Sequence, residues 1–172
     1  MSYKTTYYSG FCLQNEQGLF DEYLINNDFT LAGFSYGAIN AFEEALHSSK
    51  RIDVLQLFSP AFFQDKDEKF KRMQLMFFKK DAQGYCQNFL KNVVYPSSKN
   101  IEPFFRQGTY EELDELLHYV WDTKKVQTLC NKGTKIEVYV GSEDKIVDAN
   151  NIKEFFTPFA TVYYIKECGH IL

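Results

Sequence analysis

Two spacings of apolar residues alternate along this chain. Residues 3–8, "YKTTYY", are β-prone and run straight into a Ser-Gly turn. Residues 15–26, "NEQGLFDEYLIN", set Leu19, Phe20, Tyr23 and Leu24 at helical spacing. Residues 28–33 read as a short strand. Residues 36–49 read as a helix with Ala38, Ala41, Phe42 and Ala45 on one stripe and His47 near its end. "RIDVLQLFSP" predicts a buried strand stopped by Pro60. Residues 61–131 carry little strand signal and several amphipathic helical stretches. "TKIEVYVG" returns to a strand, "DANNIKEFFTPF" is a short helix ended near Pro158, and "ATVYYIK" is a last strand.

Strands alternating with helices predict an α/β fold: a parallel sheet with helices on both faces. The long helical stretch predicts an insertion over one end of that sheet. The boundaries fall near Pro60 and Gly133, giving a core of residues 1–60 and 133–172 and a helical cap of residues 61–132.

Composition narrows the function classes. A chain of 172 residues suits one domain with one core. Aromatics reach 17%, with 17 Phe and 12 Tyr, and such large rings line either a core or an apolar pocket. The net charge of -4 argues against a nucleic-acid binder. No run approaches eighteen apolar residues, and "MSYKTTYYSG" lacks the apolar core of a signal peptide, so a cytoplasmic location without a membrane is expected. Cys12, Cys86, Cys130 and Cys168 form no CxxC and have no His pair beside them; free thiols and no metal are expected. Cys12 and Cys168 lie near the segments discussed next, so a cysteine nucleophile stands as a weaker alternative.

The stretch "LAGFSYGA" carries the chemistry. A serine hydroxyl needs a base and an exposed position to attack a carbonyl. A sharp turn from strand to helix supplies the position for Ser35, and Gly33 and Gly37 avoid collisions with crowded backbone. The Tyr36 N–H then points where a carbonyl oxygen gains charge. A Gly-x-Ser-x-Gly pentapeptide alone is a weak signal and equally fits a glycine-rich turn; the strand before it and the helix after it add weight. Downstream, "VYVGSEDKIVD" offers Asp144, with Glu143 and Asp148 as competing acids in what is otherwise a solvated loop. "KECGHIL" places His170 just past the last strand. Serine, acid and histidine then follow the chain order used on this kind of sheet, each near a strand's C-terminal end. His47 is a poorer base, roughly 18 Å along the helix that Ser35 begins, and His118 reads as a surface or capping residue. A second oxyanion donor is expected from "YYSGF", where Gly10 permits a tight turn and Phe11 offers its N–H.

The segments "SGF", "GFSYG", "GSEDKIV" and "CGHIL" resemble the α/β-hydrolase family. More narrowly, "YYSGF", "LAGFSYGAI", "LQLFSP", "FKRMQLMFFKKD", "KIEVYVGSEDKI" and "CGHIL" resemble the short pimeloyl-[acyl-carrier protein] methyl ester esterases of the Helicobacter type, which serve biotin synthesis. The resemblance implies hydrolysis of a methyl ester on a carrier-bound seven-carbon diacid, Ser35, Asp144 and His170 as the triad, and no cofactor. The sequence departs from the wider family in having Ser9-Gly10 where His-Gly is usual. The strands usual before the oxyanion loop and the strand–helix unit usual before the nucleophile strand are not found. About five strands are therefore expected, a minimal α/β-hydrolase fold.

A partner for an acidic carrier protein needs a basic surface beside an apolar slot. Residues 66–80 hold Lys66, Lys69, Lys71, Arg72, Lys79 and Lys80 against Asp67 and Glu68, a local excess of cations in a chain of net charge -4. Lys69, Lys71, Arg72, Lys79 and Lys80 are the expected docking residues, although most charge runs are merely solvated faces. The aromatic and Met residues of the same stretch divide between cap core and acyl slot in a way the sequence leaves open. The same triad also suits a thioesterase or another small carboxylesterase, and a non-catalytic binding protein on the same fold is a third possibility.

Overall fold

In a computed structural model, which describes residues 2–172, five strands form a single parallel sheet. They are β1 (Thr6–Tyr8), β2 (Thr30–Phe34), β3 (Val54–Phe58), β4 (Lys135–Gly141) and β5 (Thr161–Ile165), adjacent in chain order. Phe34 pairs with Phe58 and Phe58 with Tyr139, so the strand ends leading to each loop share one rim. Side chains alternate between faces. Leu55, Leu57, Ile136, Val138 and Val140 point to one face, and all are buried.

That face is covered by α1 (Tyr36–His47), α5 (Thr123–Asn131) and α6 (Ala149–Phe156). Trp121 locks the layer, with its ring 5.1 Å from Phe42 of α1 and 5.2 Å from Phe156 of α6. Its indole N–H donates to the Ala61 carbonyl at 2.8 Å, which satisfies the one polar atom of a buried ring.

The opposite face corrects the expectation of helices on both sides. It is covered by the β1–β2 connection, which contains only a short 3-10 turn at Gln17–Phe20. Phe20 stacks on Phe58 at 4.6 Å, and Tyr23 meets Tyr139 at 5.3 Å. The apolar spacing in residues 15–26 is real, but the backbone polar groups are used elsewhere. Gln56, buried in the middle of β3, accepts from the Ile25 N–H at 2.8 Å and donates to the Tyr23 carbonyl at 2.9 Å. The Asn26 side chain accepts from the Lys4 N–H at 2.6 Å. A helix would need those backbone groups for its own ladder. All four crossovers step the same way across the sheet, so the one on this face has the opposite hand to the other three.

Above the rim lie α2 (Glu68–Lys80), α3 (Ala82–Val94) and α4 (Tyr110–His118), with α2 packed on both others. Asp67 and Asp81 cap α2 and α3, and Thr109 with Glu112 forms a capping box on α4. α2–α4 make up the roof, α4 also packing on α1, and α5 packs on α1 in the layer over the sheet. Among the described residues no helix is long and apolar enough to cross a membrane.

Candidate active site

The turn from β2 to α1 is built by exclusion. A Cβ on Gly33 would sit 2.1 Å from the Gly37 carbonyl oxygen, and one on Gly37 would sit 2.0 Å from that of Tyr8. Without those two side chains the helix starts directly under the strand and over the end of β1. Ser35 between them has φ 56° and ψ -115°, a conformation an L-residue rarely adopts. It is pinned by its N–H to the Phe58 carbonyl at 2.9 Å and by its carbonyl, which accepts from Ala38 and Ala61 at 3.1 Å.

Ser35 Oγ lies 2.9 Å from His170 Nε2, and His170 Nδ1 lies 2.7 Å from Asp144 Oδ2. With Asp144 as an acceptor-only carboxylate, Nδ1 carries the proton and Nε2 accepts from the serine hydroxyl. The His170 ring is fully buried and packs on Phe34 at 5.0 Å between centroids. Asp144 is oriented through its other oxygen, which accepts from Ile146 at 2.7 Å and Val147 at 3.0 Å.

The histidine loop is clamped from three sides. The Ser59 hydroxyl donates to the His170 carbonyl at 2.6 Å, the Glu143 N–H donates to the Cys168 carbonyl at 2.8 Å, and the Ile171 N–H donates to Val93 of α3 at 3.4 Å. A Cβ at Gly141 would meet the Gly169 oxygen at 2.2 Å, so the acid loop and the histidine loop touch backbone to backbone.

The rival residues fall elsewhere. Asp148 caps α6, accepting from the Asn151 N–H at 3.0 Å, and Glu143 is exposed. His47 accompanies the Glu43 carbonyl at the far end of α1, and His118 lies on the surface beside Asp114 and Glu68. Cys12 is buried against Cys86, with 2.7 Å between the sulfurs. The hydrogen bond with Cys12 holds the Cys86 thiol below the usual thiol range, against the effect of burial.

The two amides expected to receive an oxyanion are available. Gly10 lies against Phe34, 2.8 Å from a Cβ position to that ring, so the Gly10 turn abuts the serine turn. The Leu13 N–H donates to the Gly10 carbonyl at 3.1 Å and closes that turn around Phe11 and Cys12. Among the described residues the Phe11 N–H donates to nothing, and the Tyr36 N–H, at the first position of α1, has no acceptor a turn earlier. The Tyr36 hydroxyl reaches over to Glu115 of α4 at 2.8 Å; burial and that carboxylate raise it above the usual tyrosine range.

A pocket of about 490 Å³ opens between α2, α3, α4 and the loop after Asp144. Its walls divide the cap aromatics. Phe63, Phe70 and Phe77 line it, whereas Phe62 and Phe78 are buried elsewhere in the core. Ser35 is not in its wall. The pocket reaches the rim through Lys145 and Ile146, which directly follow Asp144, and through Phe89, whose ring meets Phe11 edge-on at 5.3 Å.

Of the expected docking residues, Lys69, Arg72, Lys79 and Lys80 lie on the open side of α2. Lys71 does not. Its side chain is 9% exposed and points inward, with its ammonium 3.6 Å from Glu68 one turn back, because it falls on the helix face shared with Leu75 and Phe78. Ser59 and Glu16 went unnoticed in the sequence. Nothing in the spacing of either residue marks it, since each acts through backbone it meets only in the fold.

Fold and site together define the α/β-hydrolase fold in a minimal form. No protein-family model matches the sequence, and no curated protein matches it. Solved structures do. A carboxylesterase of the ammonia-oxidizing thaumarchaeon Nitrososphaera gargenis superposes with a TM-score of 0.66 at 16% identity, over 98% of this chain and 83% of that one. E-2-(acetamidomethylene)succinate hydrolase gives 0.59 at 11% identity, over 96% and 84%. A hydrolase from Oleispira antarctica gives 0.58 at 14% identity, over 83% of this chain, which spans 58% of that chain's length. At these identities the likeness is one of fold.

Proposed function

We propose that this protein is a cytoplasmic serine carboxylesterase that hydrolyses the methyl ester of a pimeloyl chain carried on acyl carrier protein, with Ser35, His170 and Asp144 as its triad. The observation that carries the reading is the continuous hydrogen-bonded chain from Ser35 to Asp144 beside two amides with no acceptor of their own. Ser35 Oγ attacks the ester carbonyl as its proton passes to His170 Nε2. Asp144 holds the ring in the productive tautomer and stabilises its cation. The Phe11 and Tyr36 amides receive the oxyanion, a kind of interaction whose loss typically costs about 3 kcal/mol of transition-state stabilisation. Collapse expels the alkoxide, which takes the proton from His170 and leaves as methanol. Water, deprotonated by the same ring, then attacks the acyl-serine and frees the acid.

The carrier is supported by α2 and by the pocket behind it. Lys69, Arg72, Lys79 and Lys80 accompany the exposed Met73 and Met76 on the outer side of that helix, a cationic and apolar surface suited to an acidic partner helix. Gln74, Asn88 and Asn92 set carboxamides among apolar walls, which suits a thioester-linked arm bearing amides of its own.

Incubation with methyl-pimeloyl carrier is the test. Release of methanol with the thioester intact is expected. Cleavage of the thioester instead would make the protein a thioesterase on the same triad. No adduct on Ser35 after a fluorophosphonate probe would leave a binding protein.

A further inference from the structure

The β1–β2 connection holds a second carboxylate at the rim. Glu16 is fully buried. Its Oε1 accepts from the Gly10 N–H at 2.7 Å and from the Tyr7 hydroxyl at 3.0 Å, while Oε2 has no partner among the described residues. A polar oxygen out of water and without a donor is costly, so stability alone is a poor reason for this side chain here. Burial, and then the adjacent Glu16, raise the Tyr7 hydroxyl well above the usual tyrosine range, so Tyr7 serves as a donor.

We infer that Glu16 is a positioning residue for the oxyanion loop, fixing the Gly10 backbone so that the Phe11 N–H faces the reacting carbonyl. The inference rests on the serine-esterase reading above. Glycine is the residue whose backbone is least restrained, and Gly10 must be glycine because Phe34 occupies the space of a side chain. Two hydrogen bonds supply the missing restraint. Glu16 takes the N–H of Gly10, and Leu13 takes its carbonyl at 3.1 Å. In a planar trans peptide the N–H points opposite to the carbonyl. A Gly10 carbonyl held toward Leu13 therefore turns the Phe11 N–H outward. The Glu16 bond on the other side of the same Cα prevents the peptide from flipping. Gln has the same shape and keeps an oxygen acceptor for Gly10, so the role calls for the acceptor rather than the charge.

Three variants test this on p-nitrophenyl butyrate and on phosphonylation of Ser35 by a fluorophosphonate. Glu16→Ala is expected to lower kcat by about 10²- to 10³-fold with KM within about threefold, the signature of a lost transition-state donor. Its phosphonylation should slow in parallel, and its circular dichroism should match the wild type. Glu16→Gln should restore most of kcat. If Glu16→Ala fails to fold, Glu16→Asp, one methylene shorter, should show the same fall in kcat while folded. A folded Glu16→Ala or Glu16→Asp with wild-type kcat overturns the role, as does a Glu16→Gln as impaired as Glu16→Ala. A wild-type protein that forms no Ser35 adduct overturns instead the esterase reading beneath it.

Discussion

Ser35 is 3% exposed, with its N–H and its carbonyl both bonded to backbone; one layer above, α2 leaves Met76 58% and Phe77 44% exposed. At the rim the positive φ values of Cys12, Ser35, Ser59 and Glu167 all fall just past strands of the sheet, where the chain turns sharply into the next segment. Such conformations persist only where the surroundings over-determine them. The roof is assembled differently, from short capped helices whose amphipathic faces meet over a pocket. The rim is thus built to hold a few atoms in place, and the roof to present surface. Damage should differ accordingly: chemistry fails at the rim with the fold intact or the fold fails outright, whereas the roof should tune which substrates are used.

The largest effect is expected at the proposed triad. Ser35→Ala should reduce ester turnover by about 10⁴-fold or more while leaving the thermal midpoint near that of the wild type, because it removes the nucleophile and only one hydrogen bond. Asp144→Asn gives a sharper version. Its remaining oxygen can still accept from Ile146 and Val147, so the loop keeps its shape, while its amide presents a donor to His170 Nδ1. The proton then sits on Nε2, the ring no longer accepts from Ser35, and kcat should fall by about 10⁴-fold. Residual turnover within tenfold of the wild type in steady-state assays of either variant would remove these residues from the chemistry.

Gly37→Ala tests the same rim for stability. The new Cβ would lie 2.0 Å from the Tyr8 oxygen and 2.6 Å from that of Ser9, both backbone atoms with no rotamer to yield. The end of β1 and the start of α1 must separate, at a cost of about 3 kcal/mol or more. Urea denaturation should show this as a lower midpoint. An unchanged midpoint would mean that the approach of these two segments is slack.

The same contrast explains what could be read from the sequence. The three side chains that the fold joins by hydrogen bonds each carry a local signature: Ser35 its two glycines, Asp144 the end of a strand, His170 the turn after the last one. Four of the five strands were legible from apolar runs to within three residues at each end, and β1 shrank to Thr6–Tyr8. The segment 15–26 misled, because the spacing of Leu19, Phe20, Tyr23 and Leu24 records which side chains meet the sheet and not how the backbone between them is bonded. Glu16 was illegible for a related reason, since its partners are an amide and a phenol brought to it by the turn. Lys71 was misread because a count of charges ignores helical phase: the residue shares its face with Leu75 and Phe78.

The smallest effect, and the one that most directly separates roof from rim, concerns the open side of α2. Lys69 and Arg72 are exposed and remote from the hydrogen bonds that order Ser35, His170 and Asp144. Reversing both to Glu changes four units of charge on a surface proposed to meet an acidic carrier, which acts mainly on association and is weakened by salt. Turnover of the carrier-bound ester should fall roughly three- to tenfold at low ionic strength through kcat/KM, with the gap closing as salt is raised. Turnover of p-nitrophenyl butyrate should be unchanged, because that ester needs only the rim. Lys71 is excluded from the pair, since a reversed charge at that buried position would disturb α2 itself. Equal losses on both substrates would place the effect in the fold of the roof and remove α2 as the docking surface, while an equal loss at every salt concentration would remove its charge as the cause.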